Sequence, residues 1–136
     1  MVKSEKIMVA GKRKEAIAKA LIGTGTGKVK INDVDYELLS GFHKLAIREP
    51  IEIAKKVLGE FNFDIIIKVS GGGREGQIEA SRLAIAKALV KFTKSNELKK
   101  AFLNYDRNLL VADTRRKEAY KPGDSKARRK RQKSYR

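Results

Sequence analysis

The groups best equipped for chemistry in this 136-residue chain are cations, and they crowd at one end. Between Thr114 and Arg136 stand Arg115, Arg116, Lys117, Lys121, Lys126, Arg128, Arg129, Lys130, Arg131, Lys133 and Arg136, opposed only by Glu118 and Asp124. This stretch therefore carries +9 of the chain's net +16. Ammonium and guanidinium groups at such density neutralise phosphates and release counterions from a polyanion. Arg adds a grip on two phosphate oxygens and a flat face that stacks on bases. The segment has almost no aliphatic side chains, so it buries too little to offset the entropy of ordering, and its like charges repel. It is expected to be an extended arm when alone, reaching roughly 70 Å at about 3.3 Å per residue, with Pro122-Gly123 redirecting its course.

Four further constellations invite a chemical reading. Lys12, Arg13 and Lys14 form a second basic cluster in which nearby acids are too few to neutralise the charge. GTGTGK at Gly23 to Lys28 resembles a phosphate loop, but position 22 is Ile where the pattern needs Gly. Val29 stands where Ser or Thr would hold magnesium, so nucleotide hydrolysis is not expected. Gly71-x-Gly73-x-x-Gly76 follows an apolar run and opens a helix, as a dinucleotide fingerprint does. What comes after that helix is a second helix and the basic arm, with no further parallel strand to complete a dinucleotide-binding unit. The loop is either a flexible turn or, with its exposed amides and Arg74 beside them, a seat for a backbone phosphate. Lys87, Lys91 and Lys94 read first as a solvated helix face, with an RNA-facing role as the alternative, and the lone His43 as an ordinary surface or packing residue.

Composition limits the function classes. With no Cys and one His, disulfides, thiolate chemistry and ordinary zinc sites are excluded, and no metal or cofactor is expected. No apolar run approaches the length of a membrane span, and the N-terminus lacks a secretory apolar stretch, which points to a soluble intracellular protein. A pI near 10.2 calls for a polyanionic partner. A membrane-surface binder would carry an amphipathic helix with large apolar residues in its arm, and this arm has none.

The elements that must position these groups fit in one body, residues 1–113, with the arm at 114–136. Ile7 to Ala10 is a short apolar run. Glu15 to Ile22 is ambiguous, since alanine favours helix while the alternation of Ala16, Ala18, Ala20 and Ile22 suits a strand. Gly23 to Gly27 reads as a turn, Lys28 to Ile31 as a strand and Asn32-Asp33 as a turn, which suggests a hairpin with the segment before. Tyr36 to Ile47 is helical in pieces broken at Gly41, and Pro50 opens a further helix that ends at Gly59. Phe61 to Val69 alternates as a half-buried strand. A helix from Gln77 to about Lys94 has Ile78, Ile85, Leu89 and Phe92 on one stripe. A short helix follows Ser95, with Leu98, Ala101, Phe102 and Tyr105 on it. Leu109, Leu110 and Val111 are placed to pin the root of the arm to the core.

Four stretches together resemble one family: GKRKEAIAKA (Gly11 to Ala20), GTGKVKIN (Gly25 to Asn32), GGGREGQIEASRLAIAKAL (Gly71 to Leu89), and the end from Leu109 to Arg136. In that order, and over nearly the whole length, the chain is similar to the universal small-subunit ribosomal protein nine family in its archaeal and eukaryotic form. Its Ser134-Tyr135-Arg136 ending departs from the bacterial pattern, which closes on a Lys-Arg pair. The resemblance implies an α+β fold, a mostly antiparallel sheet packed on helices with a left-handed β-α-β crossover, and favours strand at Glu15 to Ile22. It implies a non-enzymatic, cytoplasmic ribosomal constituent whose body sits in the head of the small subunit on rRNA of the 3′ major domain, beside neighbouring head proteins. Lys12, Arg13, Lys14, Lys19, Arg74 and the basic residues of the arm would then hold rRNA, with Ser134, Tyr135 and Arg136 approaching the peptidyl-site tRNA. The alternative is a generic nucleic-acid binder outside the ribosome.

Overall fold

The computed structural model describes residues 6–39 and 41–111, so the arm and its assigned residues lie outside the described residues. Side-chain alternation settles the first ambiguous segment. In β2 (Ala16–Thr24), Ala16, Ala18, Ala20 and Ile22 are buried while Ile17 and Lys19 face outward, the period of two that only a strand produces. β1 (Ile7–Arg13) pairs with it antiparallel, from Ile7 opposite Ile22 to Arg13 opposite Ala16, closed by Lys14-Glu15 with Lys14 in the left-handed region at φ 54°.

The sheet has five strands in the order β1-β2-β5-β3-β4. β3 (Val29–Ile31) and β4 (Val34–Asp35) form a hairpin whose two turn residues, Asn32 and Asp33, both have positive φ (49° and 67°), the requirement of a type I′ turn. β5 (Phe63–Ser70) runs antiparallel to β2 and parallel to β3. The expected hairpin between Glu15–Ile22 and Lys28–Ile31 is therefore not formed. The eight residues of β5 satisfy nearly the whole free edge of β2, whereas β3 offers three, and β5 stands between them. Val29–Ile31 and Phe63–Ser70, parallel neighbours joined across a helix, supply the β-α-β unit of an otherwise antiparallel sheet.

That helix, α1 (Gly41–Leu58), follows a 3-10 turn at Tyr36–Leu38 that is capped by the Asp35 carboxylate accepting from the Glu37 amide. The expected helix start at Pro50 is also overturned, because α1 runs straight through it. A proline inside a helix costs about 3 kcal/mol in lost hydrogen bonding and steric conflict. Here its ring is buried on the same face as Ile47, Ile51 and Ala54, and that packing offsets the cost. Gly59, at φ 78°, ends the helix as expected, its amide bonding to the Lys55 carbonyl.

α2 (Arg74–Thr93) starts three residues before the expected Gln77 and is not amphipathic. Ile78, Ala80, Ser81, Leu83, Ala84, Ile85, Ala86, Ala88 and Leu89 are all buried, because the helix lies between the sheet on one side and α1 with α3 (Asn96–Tyr105) on the other. Small residues let it approach closely. A Cβ on Gly11 of β1 would stand 2.4 Å from the Ala80 carbonyl oxygen and 2.7 Å from the Ala84 nitrogen. On the other side Arg82, only 17% exposed in its side chain, reaches Glu49 of α1 and Asp106 at the end of α3, the latter at 3.5 Å. α3 is capped by Ser95 Oγ, which accepts from the Leu98 amide at 3.3 Å, and buries Leu98 and Phe102. Leu109 is fully buried, so the last described turn is anchored in the core as its apolar residues suggested.

Candidate nucleic-acid interface

Two of the singled-out motifs, far apart in sequence, meet at one end of the molecule. The turn that joins β1 to β2 carries Lys14 and Glu15, and the loop from β5 into α2 carries three glycines. Gly71 and Gly72 have φ of 77° and 63°; a Cβ on Gly71 would lie 2.5 Å from the Glu15 carbonyl oxygen and one on Gly72 3.0 Å from the Ala16 nitrogen. Only glycine permits both the backbone conformation and this approach. Gln77 holds the loop down, its Nε2 donating to the Gly71 carbonyl at 3.1 Å. Lys14 and Arg74 are thereby gathered, both exposed, at this end, while Lys12, also exposed, lies on the face of β1 away from α2. Gly73 caps α2 with no side chain to accept from the first-turn amides, which leaves them directed at the same corner with the positive end of the helix dipole.

Arg13 is placed differently. Its side chain is 22% exposed and its Nε lies 2.6 Å from a Glu79 carboxylate oxygen on α2. The expectation that nothing nearby neutralises the cluster thus fails at Arg13, where Glu79 reaches back from the second turn of α2 and ties the strand end to the helix. Lys19 is not at this corner. It points outward from the middle of β2, directly opposite Lys68 of β5. Lys68, and Lys30 of β3, are exposed cations that motif reading passed over. Their signal was the strand alternation itself, since Lys30 sits between buried Val29 and Ile31, and Lys68 is two residues from exposed Ile66.

The GTGTGK loop already holds an anion, and it is internal. Asp64 Oδ1 accepts from the Thr26 and Lys28 amides at 3.0 and 3.1 Å. A Cβ on Gly25 would fall 2.1 Å from the Asp64 carboxyl carbon. The Lys28 amide is the main reason this carboxyl lies below its usual range; partial desolvation opposes the shift, and the Thr26 and Gly27 amides add to it. The loop's phosphate-like geometry is explained by its own aspartate. Among the described residues no group of three or more His, Asp or Glu side chains could hold a metal ion, and no helix is long and apolar enough to cross a membrane.

The sequence matches the model of the ribosomal protein S9/S16 family over residues 11–136. Among curated proteins it is 46% identical to a small ribosomal subunit protein uS9 of Methanococcus maripaludis and 44% identical to that of Methanococcus vannielii. Each alignment covers 96% of this chain and 98% of the relative. With a family match that takes in both corner motifs and the arm, and relatives aligned end to end, the chain belongs to the ribosomal protein S9/S16 family, structural and non-enzymatic proteins of the ribosome.

Proposed function

We propose that this protein fastens rRNA in the head of the small subunit, in its 3′ major domain, and sends its arm toward the peptidyl-site tRNA. The observation that carries the reading is the corner where the glycine loop packs on the β1–β2 turn and presents Lys14 and Arg74 beside the uncapped start of α2. Such a corner suits phosphates of a folded RNA, since cations and helix amides converge on one volume. Arg13 serves it indirectly by locking the turn to α2 through Glu79. The body, residues 1–113, then sets position. The arm, residues 114–136, supplies most of the counterion release through Arg115, Arg116, Lys117, Lys121, Lys126, Arg128, Arg129, Lys130, Arg131 and Lys133. At its tip Tyr135 is suited to stack on a base, and Ser134 and Arg136 to contact tRNA phosphate.

Two truncations test this. Removal of Lys126 to Arg136 is expected to leave the body folded while weakening rRNA binding and flattening its salt dependence. Removal of Ser134 to Arg136 alone is expected to reduce tRNA retention on isolated small subunits reconstituted with the variant. Unchanged rRNA affinity in the first, or unchanged retention in the second, overturns the corresponding half.

A further inference from the structure

Among the described residues, the helices cover only one side of the sheet. No described element lies over the other side at β1, β2, β5 and β3, and the strand register specifies what it carries. One row across the strands reads Met8, Leu21, Ile66, Lys30; the next Ala10, Lys19, Lys68; the third Lys12, Ile17, Ser70. Met8 is 62% exposed, Ile66 45% and Ile17 39%, and all four lysines are exposed. Lys12, Lys19, Lys68 and Lys30 form a diagonal lane over four strands. Its steps are roughly 5 Å where residues lie directly opposite and roughly 7–8 Å where they are diagonal. The lane is flanked by the aliphatic row on one side and by Ile17 with Ser70 on the other.

Two carboxylates occupy strand positions on this side, Asp64 and Asp35. Asp64 is held at the margin by the Thr26 and Lys28 amides, while Asp35, which accepts from the Glu37 amide, stands directly opposite Lys30 across the β3–β4 pair and balances the lane at that end. Lys12, Lys19 and Lys68 have no carboxylate opposite them in the strand register. Like charges placed directly opposite across strands, as Lys19 and Lys68 are, destabilise a free sheet, so the arrangement lowers its energy only against an anion. Charge also removes two occupants. The arm at +9 would be repelled, and a second copy would set lysines against lysines. A row of cations calls for a polymer that carries a charge at each unit, and an open sheet face can meet the wide, shallow minor-groove side of an RNA helix.

We propose that this open face is a second RNA-docking surface, separate from the α2 corner, with phosphates along the Lys12–Lys19–Lys68 lane and sugar edges on Met8, Leu21 and Ile66. The proposal rests on the rRNA-binding reading above. Its test uses the full chain and a transcript of the 3′ major domain of small-subunit rRNA, with affinity measured across a salt series. Lys12→Gln/Lys19→Gln/Lys68→Gln should lower the slope of log affinity against log salt by about 2–3, and should melt no lower than the native chain because a like-charge pair is gone. Met8→Ser/Ile66→Ser should weaken binding by a similar factor at every salt concentration and leave the slope unchanged. If the native chain binds and the triple variant binds equally well with the same slope, this face is not an RNA surface. That result combined with failure of the variant to enter subunits would assign the face to a protein neighbour instead. If the native chain itself does not bind the transcript, the underlying rRNA reading falls and takes this proposal with it.

Discussion

Replacing Lys14 and Arg74 together by Gln tests whether the corner built by the glycine loop is a local contact or merely part of a basic surface. Both side chains are exposed, and a Cβ on Gly71 or Gly72 would stand within 3.0 Å of the β1–β2 turn backbone, so their gathering depends on the fold. Each phosphate contact contributes about 0.7–0.9 to the slope of log affinity against log salt. Two lost contacts should lower the slope by about 1.4–1.8. At 0.15 M salt the same relation gives a loss of roughly 15- to 30-fold, shrinking toward nothing near 1 M. The matched control replaces Lys99 and Lys100 by Gln, an equal change in net charge on exposed positions of α3 in the helix layer. Filter binding or fluorescence anisotropy over a salt series reads both. Equal losses in the two variants would mean that net charge, and not this corner, drives binding, and would refute the geometric reasoning.

Other consequences concern the scaffold. Gly11→Ala forces a methyl to within 2.4 Å of the Ala80 carbonyl oxygen. β1 must then lift from α2 at a cost of about 1–3 kcal/mol, visible as a lower urea midpoint. Arg82→Ala strands Glu49 and Asp106 with no shared cation. With both acids partly solvated the loss should be about 2 kcal/mol, and Arg82→Lys should restore only part of it because one ammonium cannot span both partners. Asp64 has a depressed folded-state pKa, so its stabilisation is fully present above the ordinary carboxylate range and is lost as pH falls through the folded value. Asp64→Asn should therefore be less stable than the native chain near neutrality, with the gap closing below about pH 4 in thermal melts.

What could be read from the residues beforehand divides along physical lines. β5 was legible because Phe63, Ile65, Ile67 and Val69 alternate with polar or exposed residues, a pattern set by one strand's own pleat. β2 was not, because its inward residues are alanines, which score as helix formers yet were needed small for α2 to pass close to Gly11. α2 showed a false stripe for the same reason, since Ala80, Ala84 and Ala88 are core residues without the bulk that marks a core face. Strand order was hidden altogether, because the insertion of β5 between β2 and β3 depends on pairings some forty residues apart. Site residues followed the same division: the Lys12–Lys14 and Gly71–Gly76 motifs were visible separately, but their meeting was not, nor was the cationic lane through Lys30 and Lys68.

The placement of acids explains why the chain's positive charge faces outward. Among the described residues, Glu79 is paired with Arg13, Glu49 and Asp106 with Arg82, Glu52 with Arg48 and Lys55, and Asp64 with the amides of its own loop. Each of these carboxylates stitches one element to another or steadies a single element, and several do so at positions remote in sequence. Carboxylates so engaged cannot also screen Lys19 and Lys68 on the sheet, and the corner keeps only the exposed Glu15 and Glu75 beside Lys14 and Arg74, Glu75 standing in the first turn of α2. The net charge that composition reports as a bulk property is therefore resolved by the fold into two surfaces. A variant that freed one acid, such as Arg13→Gln releasing Glu79 beside the corner, should weaken RNA binding more than the loss of a single cation at the control positions.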